Sequence, residues 1–179
     1  MLALIFGRAN GVWEELEQAK ALGDFSVVIG VGGAAVDYPG TLHHWVSFHT
    51  DLFAHWVTKR EGKGYPPAEQ FWSCNYRNRP ARVKTPVPVS LVDCNGGSSG
   101  FIAVKVALEK LDAHRVVLAG IPMTHEGGQY DTADKWTEAH KYRREWLEHK
   151  DLLLGRVRSM SGWTQEQFGA PTREWLAEE

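Results

Sequence analysis

The sequence predicts an α/β fold, a single doubly wound and mainly parallel Rossmann-like sheet with helices on both faces. Three observations carry that expectation. Short apolar runs rich in β-branched residues recur at Leu2–Phe6, Ser26–Val31 and Arg115–Ala119, as in strands buried on both faces. Helical patterns alternate with them, which is the signature of βαβ units. The turns that leave the strands are polar and rich in glycine.

At 179 residues the chain is long enough for one domain with a proper core, taken here as a single nucleotide-binding-type domain over 1–179. Hydrophobic content of 43% and a formal charge of -2 suit an ordinary globular chain and give no electrostatic case for nucleic acid or anionic membrane. No run approaches membrane-spanning length, and Met1–Phe6 stops at Gly7-Arg8 without a cleavage site, so it reads as a first strand rather than a leader. Cys74 and Cys94 form no C-x-x-C pair, which leads to the expectation of a reduced, cytoplasmic protein. The eight tryptophans mark either a large aromatic core, the commoner case, or a face that stacks on a planar ligand.

Taken in order, the first strand leads through Gly7-Arg-Ala-Asn-Gly11 into a helix from about Val12 to Leu22, with Val12, Leu16 and Ala19 on one face. The second strand ends in Gly32-Gly33. His43–His49 is expected as a third strand, and Thr50 or Asp51 as the cap of a helix carrying Phe53, Trp56 and Val57. Glu61–Pro67 is a loop, Phe71–Cys74 a short strand, and 75–88 a basic irregular stretch with Arg77, Arg79 and Arg82. At the centre stands Val87–Cys94 as a strand, Asn95-Gly-Gly-Ser-Ser-Gly100 as a turn, and Phe101–Leu111 as a helix apolar around most of its circumference. After Gly120 the pattern predicts a polar loop, a long helix from about Thr132 to Lys150, a strand within Leu152–Met160, and short helices at Trp163–Phe168 and Thr172–Leu176.

In an open parallel sheet the carboxyl ends of the strands lie on one side, and ligands bind there. Candidate nucleotide-binding residues are therefore Gly7, Arg8, Asn10, Gly32, Gly33, Asn95, Gly96, Gly97, Ser98, Ser99 and Gly100. The glycines allow close approach to the backbone, and the serines offer either hydroxyl donors or a helix cap. Asn10 serves equally well as a cap for the first helix. His125 and His49 sit at strand ends, where an imidazole can act as general base. Asp51 is placed to orient His49 or to cap its helix. No metal site is expected: His125-Glu126 is not H-E-x-x-H, and G-x-S-x-G and the P-loop pattern are both absent.

Ser98-Ser-Gly-Phe-Ile-Ala-Val-Lys-Val-Ala-Leu108 followed by Arg115-Val-Val-Leu-Ala-Gly-Ile-Pro-Met123 resembles the bacterial sialyltransferases that use CMP-sialic acid. It also resembles a broader set of sialyltransferase-like and 6-hydroxymethylpterin pyrophosphokinase-like proteins, many of them phage-borne. The resemblance implies that Ser98, Ser99 and Gly100 contact a nucleotide and that Tyr130 lies near the donor phosphate. A CMP-sugar or other nucleotide-sugar is the donor it implies, and no cofactor is singled out. Pro122 stands where the family has Asp, and no downstream histidine matches the family base. Arg156 and Arg158 are the secondary candidates in that place. Two alternatives are a non-catalytic nucleotide-binding or phage accessory protein that keeps the pocket, and a pyrophosphokinase-like transferase whose magnesium would fall to Asp51 and Asp93.

Overall fold

The computed structural model describes residues 1–76, 87–124, 128–132 and 135–178. Seven strands form its sheet: β1 (Leu2–Phe6), β2 (Val27–Val31), β3 (His44–Val46), β4 (Gln70–Tyr76), β5 (Val89–Cys94), β6 (Arg115–Ala119) and β7 (Val157–Ser159). Every pairing is parallel and the order is β5-β4-β3-β2-β1-β6-β7. The α/β Rossmann-like expectation holds. The chain walks outward from β1 to β5, then crosses back to the other side of β1, so the strand order reverses between β1 and β6.

The period of two along each strand separates two apolar layers. Ala3 and Ile5 of β1, Ile29 of β2 and Leu118 of β6 face one layer, while Leu4, Phe6, Val28 and Val117 face the other. On the second face lie α1 (Val12–Leu22) and α2 (Phe53–Gly62), whose Val12, Leu16, Ala19 and Phe53 are buried. On the first lies α3 (Ser99–Lys105), continued by a π-helical turn over Val106–Lys110. Gly100 to Leu108 are all buried because this helix crosses beneath β1 to β5 on its way to β6. Its one wet stripe is tied off by Lys105, which donates to Glu109 at 2.5 Å.

Several elements differ from the sequence expectation. The third strand is only His44–Val46, since Ser47–His49 turn away at the carboxyl edge. The long helix is α4 (Ala139–Glu148); residues upstream of it instead bridge Gly128 to Lys135 and Gln129 to Ala9. Helix α5 (Lys150–Leu153) stands where a strand was expected, and Gly155, at φ +76°, turns the chain into the short β7. Helices α6 (Gly162–Phe168) and α7 (Arg173–Ala177) follow. Cys74 and Cys94, expected as free thiols, form a disulfide with Cα atoms 5.7 Å apart. Parallel pairing of β4 with β5 brings them together across 20 residues, which linear spacing does not reveal. Among the described residues no helix is long and apolar enough to cross a membrane.

Candidate functional site

The loops leaving β1, β2, β3, β5 and β6 meet along the carboxyl edge of the sheet. At the reversal point the backbones are in close contact. Gly7 N–H donates to Ala119 O at 2.8 Å, and a Cβ on Gly7 would fall 2.5 Å from Gly120 O. Gly7 and Gly120 are therefore glycines of packing between β1, β6 and α1. The turn after Gly7 is paired with the segment after β6: Asn10 N–H donates to Gly128 O at 2.9 Å and Tyr130 N–H to Arg8 O at 3.1 Å. Gly11, at φ +81°, occupies the cap position of α1 and no side chain caps that helix, so Asn10 does not serve as its cap.

Two of the predicted groups come together here. The guanidinium of Arg8 lies 3.7 Å from where a Cβ of Gly33 would stand, as does Trp56 Nε1. Arg8 also forks onto Asp131, with Nε to Oδ1 at 2.8 Å and Nη2 to Oδ2 at 2.5 Å. Beside it the Tyr130 hydroxyl donates to Asp37 Oδ2 at 2.5 Å, and Lys63 pairs with the other Asp37 oxygen. Burial raises the Asp37 carboxyl, but the hydrogen bonds from Lys63 and Tyr130 outweigh it and hold the group below the usual carboxylate range. Burial, then the Asp37 carboxylate, push the Tyr130 phenol far above its ordinary value, so it stays a donor. The loop bearing Asp37 is fixed from below by Arg60, 1% exposed, which donates to the carbonyls of Ala35, Tyr38, Gly40 and Pro66. Its guanidinium is satisfied by backbone dipoles and is structural.

A second cluster surrounds the start of α3, between the segments that follow β3 and β6. Ser98 Oγ accepts from Phe101 N–H at 3.3 Å as the helix cap, and its hydroxyl faces Met123 Sδ at 4.0 Å. Ser99 Oγ accepts from Phe48 N–H at 3.0 Å. Gly100 is buried, and a Cβ there would meet Ile121 Cγ2 at 3.0 Å. Gly97, at φ +103°, sits over Phe101 and beside Glu145, whose Oε2 is buried with no hydrogen-bond partner among the described residues. Asn95 is exposed and Gly96 half-buried in the same turn, Gly96 at φ +143°. Gly32, at φ +55°, gives its carbonyl to Trp45 Nε1 at 2.8 Å and opens the 3-10 turn leading to Asp37.

His49 is exposed beside this cluster; its N–H donates to Ser47 Oγ and its ring meets the edge of Phe48. Asp51 is exposed in a 3-10 turn and, among the described residues, makes no hydrogen bond to His49. His125 lies outside the described residues, as do Arg77, Arg79 and Arg82. Arg156 donates to Ala113 O at the amino edge, and Arg158 donates to Ala170 O and stacks over Trp175, so neither is brought to these clusters. Asp93 accepts from Asn75. No group of three His, Cys, Asp or Glu residues is placed to hold a metal among the described residues.

Sequence reasoning missed Asp37, Lys63, Asp131 and Trp56, which enter from the turn after β2, from α2 and its end, and from the segment after β6, and carry no motif. A shallow cavity of about 500 Å³ lined by Leu2, Asp24, Ser26, His114, Leu176 and Glu178 lies at the opposite, amino edge, away from the glycine turns that follow β1, β2 and β5. No family model, no curated protein and no solved structure matches this chain.

Proposed function

We propose that the chain is a nucleotide-sugar-dependent glycosyltransferase, sialyltransferase-like in kind, which holds the nucleotide at the carboxyl edge of its sheet. One observation carries the proposal: a guanidinium, Arg8, stands over Gly33 where the loops after β1 and β2 meet, beside the reversal of strand order. In sugar transfer the bond from sugar carbon to nucleotide phosphate breaks while the acceptor oxygen bonds to that carbon. Arg8 answers the charge that develops on the departing phosphate. An imidazole takes the acceptor proton. His49, exposed beside the Ser99 turn, is the described candidate, and His125 is the other sequence candidate.

A second reading, a non-catalytic nucleotide-binding protein of the phage accessory type, is favoured by one feature: Arg8 and the hydroxyls of Ser98 and Ser99 are already engaged within the chain. A cytoplasmic setting, proposed with the first reading, would keep Cys74 and Cys94 as thiols, and counting free thiols with and without reductant decides that point. The functional test titrates CMP, UDP, GDP, ATP and their sugar conjugates. A ligand at about 100 times its Kd stabilises the fold by roughly 2.7 kcal/mol. Binding that Arg8→Ala abolishes, with sugar turnover that His49→Ala lowers about 10²–10⁴-fold at unchanged affinity, supports the transferase. Binding without turnover leaves the accessory reading, and no binding by any nucleotide removes both.

A further inference from the structure

We propose that Asp131 is a built-in occupant of an oxyanion site on Arg8, and that a phosphoryl group binds by displacing it. The inference rests on the reading above and names the chemical class that the site takes. Asp131 meets Arg8 through two parallel N–H···O bonds, at 2.8 and 2.5 Å, the fork geometry by which arginine holds carboxylates and phosphates alike. The contact stands at the end of β1, against Gly33 of the β2 turn.

The pair is exchangeable. Its side chains are 37% and 32% exposed, so water reaches both, and ion pairs of that exposure contribute little to stability. The segment that carries Asp131 is tied down by three further links. They are the bond from Asn10 N–H to Gly128 O, that from Tyr130 N–H to Arg8 O, and the Tyr130 hydroxyl on Asp37. Closed, the cluster sets two cations, Arg8 and Lys63, against two anions, Asp131 and Asp37. When the segment bearing Asp131 swings out, Asp37 keeps Lys63, and Arg8 is left to the ligand.

The ligand class follows from competition. A tethered carboxylate acts at an effective concentration on the order of millimolar. A free monocarboxylate offers the same chemistry and does not overcome that advantage at lower concentration. A phosphoryl group carries more charge and three acceptor oxygens, and does.

The experiment uses the full chain and inorganic pyrophosphate, titrated calorimetrically into wild type, Asp131→Asn and Arg8→Ala, with acetate at matched ionic strength as the carboxylate arm. Asp131→Asn is expected to tighten pyrophosphate binding about tenfold, the factor for a competent state populated about one part in ten. Arg8→Ala is expected to lose binding, and acetate to bind neither protein at the same concentration. In wild type, saturating pyrophosphate should speed amide exchange at Asn10 and Tyr130, whose bonds hold the closed segment. Equal pyrophosphate affinity in wild type and Asp131→Asn overturns the inference, and if nucleotides still bind, the proposed function survives it. Binding unaffected by Arg8→Ala overturns it as well. Failure of every phosphate and nucleotide with both proteins overturns inference and function together. Should Asp131→Asn fail to fold, Tyr130→Phe cuts one tether and keeps the ion pair. A gain of about threefold is then expected, and no gain overturns the inference.

Discussion

The centre of the sheet and its β4–β5 edge share one kind of ladder but are held by different forces. In β1, Ala3 to Phe6 are fully buried, and so are Val116 to Ala119 in β6, because helices cover both faces there. In β5, Leu91 is 40% exposed and Asp93 is exposed, while Val92 and Cys94 are buried on the α3 side. The edge makes up for its one open face with cross-strand links. Gln70 Nε2 donates to Ser90 Oγ at 3.0 Å, Asn75 Nδ2 donates to Asp93 Oδ1 at 3.1 Å, and Cys74 is joined to Cys94. Where apolar cover is complete, burial suffices; where it is half missing, covalent and polar ties take over.

The largest effect expected lies at the centre. Ile5→Ala should cost about 3–4 kcal/mol in urea unfolding, from lost burial plus the cavity left behind. Leu91→Ala on the open face of β5 should stay within about 0.5 kcal/mol. Equal costs would break the comparison and mean that something covers the edge.

Opening the disulfide comes next. Reduction, or Cys74→Ala with Cys94→Ala, should lower stability by about 3 kcal/mol, the scale for a crosslink closing a loop of this length. Amide exchange should accelerate in β4 and β5 while β1 and β6 keep their protection under native conditions. A uniform loss across the sheet would show that the edge and the centre open as one unit.

A smaller effect belongs to the polar ties. Asn75→Ala should cost about 0.5–1 kcal/mol, the scale of a single cross-strand pair. The cost should grow when the disulfide is reduced, because the two links share one ladder. Strict additivity in that double cycle would mean that they act independently.

The smallest effect is acid-dependent and returns to the loops over the centre. Asp37 titrates below its usual range in the folded chain, so its contribution is present above the unfolded value near 3.9 and is lost as pH falls through the lower native value. Asp37→Asn should therefore lower Tm slightly at pH 7 and narrow the gap to wild type below about pH 4. A gap that widens in acid would have the wrong sign.

Strands β1, β2 and β6 and helix α1 were legible because each is a continuous apolar run, or a clean helical stripe, bounded by glycine. That pattern depends only on the local environment each residue must enter. From it the parallel sheet follows, and so does the gathering of Gly7–Gly11, Gly32-Gly33 and Asn95–Gly100 along one edge, since a right-handed crossover leaves every strand end on the same side. Tertiary structure alone decided which glycines serve packing: Gly7 and Gly120 press backbone on backbone, and Gly100 meets Ile121. It also decided that Gly128 to Tyr130 of the polar loop pair with the β1 turn, that Cys74 reaches Cys94, and that Asp37, Lys63, Tyr130 and Asp131 converge beside Arg8. The physical reason is common to all of these. Periodicity reports whether a residue is buried or wet, whereas strand register and the meeting of side chains from four elements depend on how distant segments pack, which no local pattern encodes.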